Sequence, residues 1–150
     1  MRAIIQRVER AAVHINGQNH NKIQKGLLLL LGIENSDNQE DISWLTKKIS
    51  MMRIFNDEHQ VMNKSLLDIT GEILIISQFT LHAAVKKGNR PSYIRAAKPE
   101  IAVPLYEAFI HHFRKETKLT AKTGVFGADM KVELVNDGPV TIFLDSKNKA

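Results

Sequence analysis

The chain has 150 residues, of which 43% are hydrophobic and 25% charged; it carries a net charge of +5 and no cysteine. This is the balance of one soluble globular domain with a core of ordinary size, and it excludes disulfides and thiolate metal sites while fitting a reducing compartment, the cytoplasm. The opening MRAIIQRVER has no apolar stretch before a cleavage site, so it does not read as a signal peptide. The longest apolar run, Leu27–Leu31, is too short to span a bilayer.

Ala3–Val8 and Ala11–Ile15 read as two short strands or one bulged strand. Arg7 is the one charge in the first of them. It is either an edge residue reaching water or a donor fork that fixes a carbonyl or carboxylate. Asn16-Gly17 is the best hairpin signal in the chain, because a type I′ turn needs positive φ at both central residues. The return strand is expected over roughly Lys22–Leu31, with its Leu27–Leu31 half buried.

Ser36–Met52 reads as a helix, capped by Ser36 with Gln39 or by Asp37 with Glu40. Ile42, Leu45, Ile49 and Met52 recur at helical spacing as a core-facing stripe. Arg53-Ile54-Phe55 is a short strand closed by a turn at Asn56-Asp57, and Val61–Leu67 is irregular.

Glu72–Leu81, EILIISQFTL, is the central strand. Ile73–Ile76 is a continuous apolar run that argues burial on both faces. Strand alternation then sets Gln78 and Thr80 in line with Leu74 and Ile76, so an amide and a hydroxyl stand where apolar groups are expected. Buried polar groups need partners. These either bond to neighbouring backbone or line a pocket. On such a strand His82 shares a face with Thr80, but at about 7 Å along the backbone it is a remote base for it.

Between Leu81 and Pro99 lie Lys86, Lys87, Arg90, Arg95 and Lys98, with no acidic residue. The stretch is either a solvated loop or a phosphate-contacting one. A second helix follows over roughly Glu100–Lys118, with Leu105, Phe109 and Phe113 on its apolar face, joined by Ile101. Pro104 should kink that helix or mark the start of its regular part. His111 and His112 point about 100° apart on a helix and make no ligand pair. Thr123–Met130, TGVFGADM, reads as an ordered loop. Lys131–Asn136 and Val140–Asp145 alternate as two strands of a hairpin joined by Asn136-Asp137-Gly138-Pro139, and Ser146–Ala150 reads as a frayed polar tail.

Few familiar chemistries fit. Gly124 and Gly127 lack the lysine and strand–helix context of a phosphate loop, and no spacing of His, Asp or Glu resembles a metal site. Gly138-Pro139 by spacing reads as a turn, although an X–Pro bond can also be cis.

Taken together, Ser77-Gln78-Phe79-Thr80 and Asn136-Asp137-Gly138-Pro139-Val140-Thr141 resemble the paired signature motifs of the D-aminoacyl-tRNA deacylase family, once called D-tyrosyl-tRNA deacylase. Gln6-Arg7-Val8, Gly26-Leu27, Arg53-Ile54-Phe55, Met62-Asn63, Arg90-Pro91-Ser92 and Thr123–Met130 resemble family positions in family order. The departures are mild: Tyr93 stands where the family usually has Phe, and His82 where a small residue is common, at the expected pocket mouth.

The resemblance implies an α/β fold: a compact mixed β-barrel-like sheet with two main helices packed outside, in a single domain. It implies a homodimer in which a cis Gly138-Pro139 enters the partner's active site. The implied reaction is hydrolysis of the ester between a D-amino acid and the terminal adenosine of tRNA, with no cofactor or metal and no membrane. Ser77, Gln78, Phe79 and Thr80 would be the catalytic residues. Gly138 and Pro139, with Arg7 and Asn136, would select chirality: carbonyls held parallel accept the α-amino group and exclude an L side chain. The N–H groups at Phe79 and Thr80 would form an oxyanion hole. Phe126, Ala128 and Met130 would form the adenosine pocket, and Lys86, Lys87, Arg90 and Arg95 would meet tRNA phosphates. Attack by water with help from the RNA is favoured over Thr80 as nucleophile, since Thr80 lacks an evident base. Two other readings stand beside this one: a catalytically silent RNA-binding module, and a hydrolase of small esters indifferent to RNA.

Overall fold

The computed structural model describes all 150 residues. Its organising element is β1, a single strand over Arg2–Ile15. Asn16 and Gly17, at φ 53° and 75°, reverse the chain into β2, Gln18–Ile23, as the turn chemistry requires. The expected single return strand is in fact two. β2 pairs with the far half of β1, and β3, Gly26–Gly32, pairs with its near half, from Val8 opposite Gly26 to Arg2 opposite Gly32. The break falls just before Gly26 for a steric reason: a Cβ there would lie 1.8 Å from the carbonyl oxygen of Glu72. Only glycine lets that backbone approach.

β3 runs parallel to β6, Glu72–Ser77, which runs parallel to β7, Ala121–Thr123. The crossovers carry helices α1, Gln39–Met51, and α2, Pro99–Thr117. β8, Met130–Asp145, lies antiparallel along the other edge of β1. The sheet is thus mixed and nearly closed into a barrel with the two helices outside, as expected. Alternate residues of β3 and β6 serve two cores. Leu27, Leu29, Leu31, Ile73 and Ile75 meet Ile42, Leu45 and Ile49 of α1 and Phe109 and Phe113 of α2. Leu28, Leu74 and Ile76 pack with Val8, Val13 and Ile23. Each such side chain contributes about 1.5–3 kcal/mol by leaving water.

Several boundaries differ from expectation. α1 is capped by Asn38, which accepts from the Glu40 N–H at 2.8 Å while Asp41 accepts from the Asn38 N–H at 2.8 Å. Asp37 is drawn away to the Glu34 N–H and the Met1 amine. α2 starts at Pro99 and runs through Pro104; Ile101 is exposed, and Ala102, Tyr106 and Ile110 fill the face instead. The strand expected at Arg53–Phe55 is β4, Phe55–Asn56, and the stretch expected to be irregular holds its partner β5, Met62–Lys64. Residues 146–150 do not begin as a frayed tail. Ser146 is buried, accepts from the Met1 amine at 2.8 Å and donates to Asp41 at 2.6 Å, and Lys147 pairs with Asp41 at 2.8 Å.

The largest correction is at β8. It is one continuous strand, not a hairpin. Gln6 faces Thr141 and Val8 faces Asn136, so residues 137–140 stand against Arg7 alone. Gly138-Pro139 is therefore the crest of a wide bulge, where a proline without an N–H disturbs no ladder. Sequence alternation looks the same on either side of a bulge and of a turn; the unbroken length of β1 decides between them.

Candidate active site

β6 ends one residue before the polar pair. The Gln78 N–H makes a last bond to the Leu31 carbonyl at 2.8 Å, and the chain then coils into a single 3-10 turn over Phe79–His82. The strand expected to reach Leu81 thus stops at Ser77, and Gln78 and Thr80 do not extend the Leu74–Ile76 face. They bond to each other, the Gln78 side-chain amide donating to Thr80 Oγ1 at 2.5 Å. The N–H groups of Phe79 and Thr80, first in the turn, donate to no group of the chain.

Phe79 lines a cleft of about 320 Å³ together with Ser77, Gln78, Phe126, Ala128 and Met130, while Thr80 stands just outside that lining. So the turn and the TGVFGADM loop, separate in sequence, meet. Glycine shapes the loop at two points. A Cβ on Gly124 would fall 2.5 Å from the Met130 sulfur, and Gly127 has φ 78°. Leu31, Ile33, Ala97, Ala102 and Asp129 add to the wall. Nothing in the sequence marked these as site residues, because small or aliphatic wall positions look like core. Tyr106 braces the back, its ring 5.7 Å from that of Phe126 and its hydroxyl on the Ile75 carbonyl at 2.9 Å. Burial pushes its pKa up, so it stays protonated.

His82 does not reach the cleft mouth. It is fully buried beneath the turn, off the strand face assigned to it, and neither ring nitrogen makes a well-formed hydrogen bond. Burial pushes its pKa down, against the opposing pull of the Gly32 backbone and the Glu34 carboxylate, so the imidazole is neutral near pH 7. It is not placed to serve Thr80 as a base. The turn therefore presents two N–H donors without a partner in the chain, and Thr80 Oγ1 has the Gln78 amide as its hydrogen-bond partner.

The second group of expected residues lies elsewhere. Arg7 is 7% exposed and turned inward. Its Nε donates to the Asp137 carbonyl at 3.0 Å and lies 3.4 Å from the Asp137 carboxylate, and its Nη1 donates to the Ile54 carbonyl at 2.6 Å. The Gly138-Pro139 peptide is cis and Gly138 has φ 126°, a region that favours glycine. Asn136, Asp137 and Gly138 line a separate cleft with Glu9 and Lys25, sharing no residue with the first. Within one chain the two groups do not meet.

The basic stretch is a loop closed by paired bonds between Ala84 and Ser92 at 2.8 and 3.0 Å. Lys86, Lys87 and Arg90 are exposed on it, and Arg95 pairs loosely with Glu34 at 3.7 Å. Tyr93 links it to the turn, edge-on to Phe79 at 5.0 Å.

Comparison with known proteins gives the class and then the family. The fold matches a solved structure described as "Structural Analysis of a probable eukaryotic D-amino acid tRNA deacylase", with a TM-score of 0.80 over 95% of this chain and 97% of that one at 17% identity. It also matches one described as "c-Myc DNA Unwinding Element Binding Protein", with a TM-score of 0.90 over 97% of this chain and 98% of that one at 42% identity. Proteins named D-aminoacyl-tRNA deacylase from Flavobacterium johnsoniae and Bacteroides thetaiotaomicron are 62% and 64% identical over 149 residues, 99% of each chain. The chain is an enzyme of the ester-hydrolase class. It belongs to the D-Tyr-tRNA(Tyr) deacylase family, whose pattern matches residues 4–145.

Proposed function

We infer that this chain hydrolyses the ester of D-aminoacyl-tRNA, releasing the D-amino acid and free tRNA, and rejects the L ester. The observation that carries the reading is the pair of unpartnered N–H groups at Phe79 and Thr80, at the start of a turn whose Phe79 lines the cleft walled by Phe126, Ala128 and Met130. The ester is already activated, so positioning and charge stabilisation suffice. Water attacks with help from the terminal ribose, and Thr80 positions; the lack of a base near Thr80 supports this division. The terminal adenosine lies against Phe126, and Lys86, Lys87, Arg90 and Arg95 meet RNA phosphates.

Chirality is read by the Gly138-Pro139 carbonyls of a second copy, in a cytoplasmic homodimer. Two observations support the second copy. Gly138 lines a different cleft from the turn of its own chain, and the outer edge of β8 pairs with no strand. No helix is long and apolar enough to cross a membrane.

The test is ester loss from matched D-tyrosyl- and L-tyrosyl-tRNA with chelator present, glycyl-tRNA being a third substrate. We expect the D ester to be cleaved, the L ester spared and the glycyl ester cleaved, because glycine has no side chain to exclude. Equal cleavage of D and L removes the chiral filter. Cleavage of small D-amino acid esters as fast as the tRNA esters removes the RNA-assisted route. Binding of tRNA without cleavage leaves a nucleic-acid-binding protein, the property that the 42% identical neighbour carries in its name.

A further inference from the structure

The catalytic turn has a seat, and the side chain that closes it lies at the start of β1. Arg2 pairs in register with Gly32 on one side and Asp145 on the other, so it stands where β3 and β8 both flank β1. Its Nη1 donates to the Leu81 carbonyl at 2.9 Å, and its Nε donates to Asp145 Oδ2 at 2.9 Å. The Leu81 carbonyl belongs to the last part of the 3-10 turn, where orphan acceptors need an outside donor. The Asp145 carboxylate fixes the guanidinium and is held in turn by the Lys147 N–H at 2.9 Å. Beneath the turn, Gly32 leaves room. A Cβ there would fall 2.9 Å from Leu81 Cβ, 3.0 Å from the Gln78 carbonyl and 3.2 Å from the His82 ring.

We propose that Arg2, braced by Asp145 and working against the Gly32 floor, is a positioning residue that sets where the Phe79 and Thr80 N–H groups point. The proposal rests on the deacylase reading of this turn. A turn of four residues is held within itself by only a few bonds, among them Leu81 N–H to Gln78 and Ala83 N–H to Thr80 at 3.3 and 3.0 Å, and these resist rotation weakly. An oxyanion hole works only when its donors are already placed at the distance the oxyanion will require. Arg2 pins one end of the turn to the sheet, and the Gln78–Leu31 bond pins the other.

The experiment compares wild type, Arg2→Met, Arg2→Lys and Gly32→Ala for kcat and KM on D-tyrosyl-tRNA, together with amide hydrogen exchange of Leu81 and Ala83. A displacement of about 1 Å costs on the order of a hundredfold in rate. Arg2→Met should therefore lose roughly ten- to a hundredfold in kcat with KM changed less than about threefold, and exchange at Leu81 and Ala83 should quicken. Arg2→Lys keeps one of the two bonds and recovers part of the rate. Gly32→Ala lifts the turn with every charge intact and gives the same kcat loss, which keeps the proposal testable if Arg2→Met folds poorly. A lowered melting temperature with kcat within about twofold of wild type and unchanged exchange overturns it, leaving Arg2 a purely structural ion pair. A wild-type protein inert on the D ester sinks the deacylase reading instead, and then quickened exchange in Arg2→Met shows that the seat exists without the catalytic purpose.

Discussion

Two strands of this protein are interrupted, and the interruptions are held in different ways. β6 stops at Ser77 and gives way to a turn gripped from outside by the Leu31 carbonyl and the Arg2 guanidinium and anchored by the burial of its own last residue, His82. β8 does not stop; it carries Gly138-Pro139 outward in a bulge whose inner side rests on Arg7. The turn needs several partners because four residues without a ladder define little by themselves. The bulge needs one because the strand on either side of it is already paired. The contrast predicts that damage to the turn is spread over several contacts, while damage to the bulge concentrates at one side chain.

The sharpest way to break that contrast is Arg7→Met. It strips donors from the Ile54 and Asp137 carbonyls and leaves the Asp137 carboxylate without its cation. The orphaned carbonyls cost about 1–3 kcal/mol, while the Asp137 carboxylate, 46% exposed, is rehydrated and adds little. Urea unfolding should show that loss, and the preference for D over L esters should relax. A variant within about 0.5 kcal/mol of wild type and equally selective would mean that the bulge holds itself.

A smaller effect is expected beneath the turn. The folded His82 has a pKa below its ordinary 6.5, so the unfolded chain binds its proton first as pH falls. Stability from this group is therefore full above about pH 6.5 and declines below it. The carboxylates of Asp41, Asp57, Asp68 and Asp145 have pKa values lowered from 3.8, so their share is lost only at lower pH. His82→Leu should flatten the stability profile below about pH 6.5. An unchanged slope there would assign it to another group.

The smallest effect belongs to Thr80→Ala. It removes one bond, to the Gln78 amide, worth about 1 kcal/mol. Activity within about tenfold of wild type is expected; a fall to background with tRNA binding intact would make Thr80 the nucleophile.

The elements and their order were largely legible in the sequence, as were the residues around the turn. Asn16-Gly17 names its turn by backbone chemistry alone, and the unbroken Ile73–Ile76 run names a strand covered on both sides. Local pattern failed where a distant partner decides. Alternation continues past Ser77, but β3 ends at Gly32 and offers no further ladder. The two halves of β8 look like a hairpin until β1 is seen to run the length of both. Ser146 and Lys147 look like solvent-exposed tail because Asp41, their partner, is 105 and 106 residues away. The Arg2 contact with Leu81 had no signal at all, since an arginine beside Met1 looks like any surface charge.

The pairing of β1 with β8 also orders events in time. β1 is made early and β8 late, so during synthesis the second edge of the central strand stays bare until nearly the whole chain has emerged. An unpaired strand edge invites pairing with other chains. Arg7 waits for Asp137 over the same interval, and Arg2 for Asp145. The acquisition of function is therefore a terminal event: a nascent chain can bury most of its apolar core while both polar supports of the site are still unmade.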